Sequence, residues 1–256
     1  MQRRSFLIDI NGVLYTGRKP VEGASDTVEF LREEGYDFRF ITNATQSSRE
    51  TLCKKLSALG FDIRKDDIFS SPVATARYIK ESGRTRCFLL TTGDVRKDFE
   101  REGIKITRQE PDYVVVGDAG KDYTFENMNA AFNLLREGAD LIAMEKDRFW
   151  MTSEGLVLSA GPYVAALEYA TGKKALLTGK PSKEFFDLAL SDMKAAAKDT
   201  TVIGDDLETD IRGAHEAGMK GLLVKTGKHR IEDVEKSNVV PDAVLESIAE
   251  LKRIIK

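Results

Sequence analysis

Phe6-Leu7-Ile8 delivers a carboxylate, Asp9, to the turn Asn11-Gly12, and far along the chain Val202-Ile203 delivers a second acidic cluster, Gly204-Asp205-Asp206. Isolated carboxylates at the ends of buried strands cost free energy unless something positive meets them. Two such ends in one domain therefore point to a shared divalent cation and to metal-assisted phosphoryl transfer. Asp9 can attack phosphorus as a nucleophile and bind the metal with its other oxygen. Asp205 supplies a second hard ligand, and octahedral magnesium would be completed by a backbone carbonyl, waters and a phosphate oxygen. The hydroxyl of Thr42 and the amides of Asn43 and Ala44 can donate to phosphoryl oxygens. Lys180, just before an expected helix N-terminus, can hold Asp9 and neutralise developing charge. Asp206 and Asp210 are four apart, so on a helix they share a face, where one can orient metal-bound water and the other the lysine.

Bringing these side chains together requires parallel strands that end at one edge. Short apolar runs alternate with helical patterns, as a parallel sheet with crossover helices demands. Phe6 to Ile10 reads as a strand, Ala24 to Glu34 as a helix closed by Gly35, and Phe38 to Ile41 as the next strand. Ser47-Ser48-Arg49-Glu50 fits a capping box opening a helix to about Leu59, with Gly60 after it. A further helix spans about Val73 to Lys80. A different block follows, with strands near Cys87 to Thr91, Tyr113 to Val116 and Leu141 to Ala143, and helices near Phe125 to Arg136 and Tyr163 to Ala170. From Thr178 the first pattern resumes: a helix from Pro181 to about Lys194, a strand Thr201 to Ile203, a helix from Asp206 or Leu207 to Ala217, and a strand Gly221 to Lys225. The expected architecture is thus α/β, a doubly wound parallel-sheet core of residues 1–80 and 178–256 with an inserted α/β cap, 81–177. In an open parallel sheet, ligands bind beyond the carboxyl ends of the strands, where Asp9, Thr42 and Asp205 would meet. Taken singly, each residue has an ordinary reading as a turn, a cap or a solvated lysine. Their order after successive strands is what sets them apart.

Composition narrows the function. The 256 residues carry 39 Lys plus Arg against 42 Asp plus Glu, a net of -3 without a sustained basic stripe, which argues against nucleic acid or a membrane surface as the partner. Cys53 and Cys87 lack neighbours at metal-ligand spacing and read as reduced core thiols; with no export signal visible, a cytoplasmic location is expected. Two histidines, His215 and His229, make a histidine-based triad or zinc hydrolase a poor fit. Gly179-Lys180 lacks the Ser or Thr and the first Gly of a phosphate loop, and no Gly-x-Gly-x-x-Gly follows a strand.

The set Asp9-Ile10-Asn11-Gly12-Val13-Leu14-Tyr15, Ile41-Thr42-Asn43, Lys180-Pro181 and Gly204-Asp205-Asp206 with Asp210 resembles the four motifs of the haloacid dehalogenase superfamily. Leu141-Ile142-Ala143, the stretch Gly161-Pro162-Tyr163-Val164 through Thr171, and Leu223-Val224-Lys225-Thr226-Gly227-Lys228 are similar to a narrower branch. That branch holds the NagD-like phosphatases and the phospholysine/phosphohistidine inorganic pyrophosphate phosphatase group. The resemblance implies Mg2+, an aspartyl-phosphate on Asp9, phosphate contacts from Thr42 and Asn43, a positioning role for Lys180, and metal ligation by Asp9, Asp205 and the carbonyl of Asn11. It also implies a small phosphorylated substrate, and pairing of two copies as in related capped phosphatases.

Most phosphatases of that superfamily carry Asp where this chain has Asn11. An amide cannot exchange a proton at neutral pH, so Asn11 cannot be the general acid. Slow cleavage of alkyl phosphates and retained cleavage of aryl phosphates, pyrophosphate or phosphoramidates are expected. The rival reading is a phosphate-binding sensor that has lost turnover. In the insert, Lys146, Arg148, Phe149 and Trp150 form a basic and aromatic patch before the turn Ser153-Glu154-Gly155, read either as a substrate contact or as an ordinary exposed edge. Asp118 and the turn from Gly117 to Gly120 read as a tight connection.

Overall fold

In the computed structural model, which describes residues 4–152, 155–228 and 237–255, the strand Ser5–Asp9 is buried at every position. Such burial on both faces is what its near-continuous apolar sequence encodes. It pairs in parallel with Asp37–Thr42 on one side and Thr200–Gly204 on the other. Lys220–Val224 and then Ala243–Leu245 extend the sheet in parallel beyond Thr200–Gly204, while Ile68–Ser70 forms the opposite edge. Numbered by their appearance in the chain, the six strands lie in the order 6-5-4-1-2-3. This is a doubly wound order whose switch point falls between Ser5–Asp9 and Thr200–Gly204, where the diverging connections leave a crevice for ligands.

The chain divides into two compact units, one of residues 1–42, 52–69 and 180–256, the other of residues 43–51 and 70–179. The second unit is α/β in its own right. Its parallel sheet has the order Leu176–Leu177, Asp140–Ala143, Tyr113–Val116, Arg86–Leu90, Lys105–Ile106. Alternate residues of these strands face opposite ways. Phe88, Leu90, Val114, Val116 and Leu141 pack with Leu134 and Leu135 of the helix Phe125–Arg136 and with Val164 and Leu167 of Ala160–Thr171. On the other face Cys87, Tyr113, Val115 and Ile142 pack with Ala76 and Ile79 of Ser71–Glu81 and with Phe99 of Arg96–Arg101. That apolar face groups Ser71–Glu81 with the insert, although the sequence reading had the core run to residue 80. Residues 43–51 go with it too: Thr45 O accepts from Thr91 Oγ1 at 2.7 Å, and Ser48 donates through both its amide and its hydroxyl to Asp94 at 2.8 Å. An antiparallel ribbon, Phe149–Thr152 with Gly155–Leu158, completes the unit, and the turn read at Ser153-Glu154-Gly155 falls partly outside the described residues.

Helix starts differ from the sequence reading where a side chain caps one residue later. Ser48, not Ser47, accepts from Thr51 N at 3.3 Å and opens Arg49–Ala58. Pro181 precedes its helix, which runs Lys183–Met193 with Ser182 accepting from Phe185 N at 3.2 Å. The segment read as one helix from Asp206 or Leu207 is a π-type turn, Leu207–Arg212, followed by Gly213–Glu216. Among the described residues, no helix is long and apolar enough to cross a membrane.

Candidate active site

The parallel register assembles the site. Ile8 lies opposite Ile203 and Asp9 opposite Ile41, so Asp9, Thr42 and Asp205 emerge at the same edge, on neighbouring strands beside the switch point. Asp9, Asp205 and Asp210 are buried, and each brings a carboxylate oxygen within 4.8 Å of the other two. Lys180, also buried, donates from Nζ to Asp9 Oδ1 and, at 2.5 Å, to Asp210 Oδ1. Three carboxyl groups therefore cluster about one ammonium, a surplus of negative charge that protonation of a carboxyl or a further cation would relieve. Oxygen-only ligands at this separation suit a hard divalent ion such as magnesium.

Glycines make the approach possible. A Cβ on Gly204 would stand 2.3 Å from the Asp210 side chain, and one on Gly12 would stand 2.0 Å from Asp205 Oδ2. Gly12 also holds φ at +85°, a conformation open to glycine, and its amide donates to Tyr15 O at 2.8 Å to close the turn after Asp9.

Burial dominates the electrostatics. It pushes the Asp9 carboxyl up to about 8 against the pull of Lys180, with Asp210 and Asp205 adding to the rise. Burial likewise raises Asp205 to about 6, with Asp210 adding to it and the Lys228 amide opposing it. For Lys180, burial alone would favour the neutral amine, but Asp210 and Asp9 together hold the ammonium above its ordinary value. Each carboxyl must shed its proton to take a metal, so cation binding and proton release are linked here.

Asp206 and Asp210 part company. Burial would raise Asp206, but amide hydrogen bonds from Thr209 and Glu208 and the nearby Lys228 ammonium hold it below the usual carboxylate range. It caps the π-type turn, accepting from Glu208 N at 2.9 Å and Thr209 N at 3.0 Å. Asp206 caps the π-type turn and Asp210 lies within it, so the two do not share the face of an ordinary helix; Asp210 joins the cluster and accepts from the lysine. Asn11 is exposed in the turn after Asp9. Thr42 is buried at its strand end, and Asn43, in the second unit, accepts at Oδ1 from Ser71 Oγ at 2.8 Å. Sequence reasoning missed Lys228, whose amide donates to Asp205 Oδ2 at 2.7 Å. Only the Thr226-Gly227-Lys228 string hinted at it.

In the second unit Lys146 pairs with Glu168 at 3.0 Å, while Phe149 and Trp150 lie exposed on the ribbon. Asp118 accepts from Gly120 N at 2.9 Å, as a tight connection requires.

Residues 6–105 match the family described as haloacid dehalogenase-like hydrolase, and residues 177–251 a second one described as HAD-hydrolase-like. The chain is 41% identical over 244 residues to haloacid dehalogenase-like hydrolase domain-containing protein 2 of Bos taurus, covering 95% of this chain and 92% of that one. It is 39% identical over 253 residues to the human phospholysine phosphohistidine inorganic pyrophosphate phosphatase, covering 96% and 92%. A magnesium complex of the glycerol phosphate phosphatase of Mycobacterium tuberculosis shares the fold at a TM-score of 0.87 and 27% identity, covering 98% of this chain and 76% of that one. Motifs, fold and relatives agree: the chain belongs to the haloacid dehalogenase-like hydrolases, in their NagD-like capped branch, and is an enzyme of the phosphatase kind.

Proposed function

We propose that the chain is a magnesium-dependent phosphatase of small phosphorylated compounds that works through an aspartyl-phosphate on Asp9. The observation that supports this most is the buried cluster of Asp9, Asp205 and Asp210 around Lys180. Asp9, Asp205 and the carbonyl of Asn11 would hold the ion, with Asp210 beside them. Bound Mg2+ would supply charge neutralisation for the phosphoryl oxygens and for the crowded carboxylates.

The chain's own residues then divide the work. An Asp9 oxygen attacks phosphorus, the bond from phosphorus to the leaving-group oxygen or nitrogen breaks, and water later hydrolyses the acyl phosphate to free phosphate and Asp9. Lys180 fixes Asp9 and offsets charge in the transition state, while Asp210 fixes Lys180. Thr42 and Asn43 donate to phosphoryl oxygens. Asn11 offers no exchangeable proton, so the leaving group departs without general-acid help, which favours aryl phosphates, pyrophosphate and phosphoramidates. Discrimination among organic groups falls to the inserted unit.

The test is release of inorganic phosphate from p-nitrophenyl phosphate by the metal-stripped protein with and without added Mg2+. Turnover that needs Mg2+ and falls at least ~10³-fold in Asp9→Asn is the expected result. Binding of a phosphate mimic without turnover would favour a sensor instead.

A further inference from the structure

The string Thr226-Gly227-Lys228 has no part in the chemistry above, yet it closes on Asp205. The Lys228 amide donates to Asp205 Oδ2 at 2.7 Å. A Cβ on Gly227 would stand 2.1 Å from that same oxygen and 2.5 Å from the Cα of Gly12, and Gly227 holds φ at +86°. Gly12 walls the oxygen from its own side, where an added Cβ would stand 2.0 Å away. Two bare glycine backbones and one N–H thus enclose Oδ2. The Lys228 ammonium is largely exposed and reaches Asp206 Oδ2 at 3.3 Å, so the side chain and the amide of this residue address different carboxylates.

We infer that the Gly227-Lys228 strap is a positioning element that fixes Asp205 as a one-oxygen ligand and so favours Mg2+ over Ca2+. This rests on the metal reading above. Mg2+ takes one oxygen per carboxylate in a tight octahedron, whereas Ca2+ takes six to eight oxygens and accepts both oxygens of one carboxylate. With Oδ2 held by the strap, bidentate chelation by Asp205 is blocked.

The experiment is calorimetric titration of the full-length, metal-stripped chain with Mg2+ and with Ca2+. Replacing Lys228 by its α-hydroxy analogue turns the amide into an ester, keeping the side chain and putting an oxygen that cannot donate where the N–H meets Asp205. The Mg2+-to-Ca2+ affinity ratio is expected to fall by about tenfold or more, the usual scale for losing a group that orients a metal ligand. Gly227→Ala should lower the ratio in the same direction, with circular dichroism checking its fold; if it does not fold, the ester variant decides. Lys228→Ala keeps the N–H and removes an exposed charge, so its ratio should move by less than about fivefold. An unchanged ratio in the ester variant, or an equal fall in Lys228→Ala, overturns the strap and leaves the phosphatase reading intact. Failure of the native chain to bind Mg2+ removes the metal reading and the strap together.

Discussion

Asp9 and Glu145 are both buried carboxyl groups at the carboxyl ends of parallel strands, Asp9 closing Ser5–Asp9 and Glu145 just past Asp140–Ala143. Glu145 Oε1 accepts from Ser159 Oγ at 2.7 Å and Ala160 N at 2.9 Å, and Oε2 accepts from Asp147 N. Neutral donors at both ends of the exposed ribbon thus satisfy it, and it serves as a clamp for the ribbon's base. Asp9 has an ammonium for a partner and two further carboxyl groups as neighbours. The difference separates structure from candidate chemistry: a buried carboxyl satisfied by hydroxyl and amide donors needs nothing more, whereas one crowded by like charge is a site that a cation would stabilise.

Removing the ammonium should break the contrast most severely. Lys180→Met leaves Asp9 and Asp210 without the cation they share, and the metal-free protein should lose about 3–5 kcal/mol in urea unfolding. A loss under about 1 kcal/mol would mean that the cluster carries no surplus charge in its metal-free form.

Asn11→Asp sharpens the comparison by adding the proton-exchanging group the site lacks. Turnover of alkyl phosphates should rise about 10²-fold, with a much smaller gain for p-nitrophenyl phosphate. Equal acceleration of both would remove leaving-group protonation as the explanation.

Glu145→Gln should flatten the pH dependence of stability, because an amide cannot ionise, and should add a pH-independent loss because its NH2 cannot accept from Asp147 N. Burial pushes the Glu145 carboxyl up to about 7 from 4.5, against the pull of Ser159. Between those values the folded chain holds the proton more tightly than the unfolded one. Its contribution is full below the lower value and is lost as pH rises through the upper one, roughly 3 kcal/mol in all. Unfolding free energy measured from pH 4.5 to 7.5 should fall less steeply in the variant. Parallel curves for the two proteins would contradict the clamp.

The sequence showed the placement of Asp9, Thr42 and Asp205 because each follows a short apolar run, and the doubly wound order follows from that alternation. It hid what depends on distant partners. That one of Asp206 and Asp210 orients the lysine is legible, but which of them does is not: Asp210 shares Lys180 with Asp9 from within a π-type turn that the periodicity reads as ordinary helix. Lys228 meets Asp205 through its backbone, which no side-chain pattern can announce. Ser71–Glu81 reads as one more core helix, and its place in the insert emerges only when Ala76 and Ile79 meet Cys87, Phe99 and Ile142. The ribbon escaped because apolar residues on both its faces are exposed, Phe149 and Trp150 alongside Leu156 and Leu158, which erases the alternation of a half-buried strand.

The most direct measurement is to locate the covalent intermediate. Acid-quenching the enzyme during turnover of p-nitrophenyl phosphate, reducing with borohydride and sequencing the peptides by mass spectrometry should convert Asp9, and no other carboxylate, to homoserine. Reduction at Asp205 or Asp210, or full turnover with Asp9 unmodified, would contradict the assignment of Asp9 as the nucleophile.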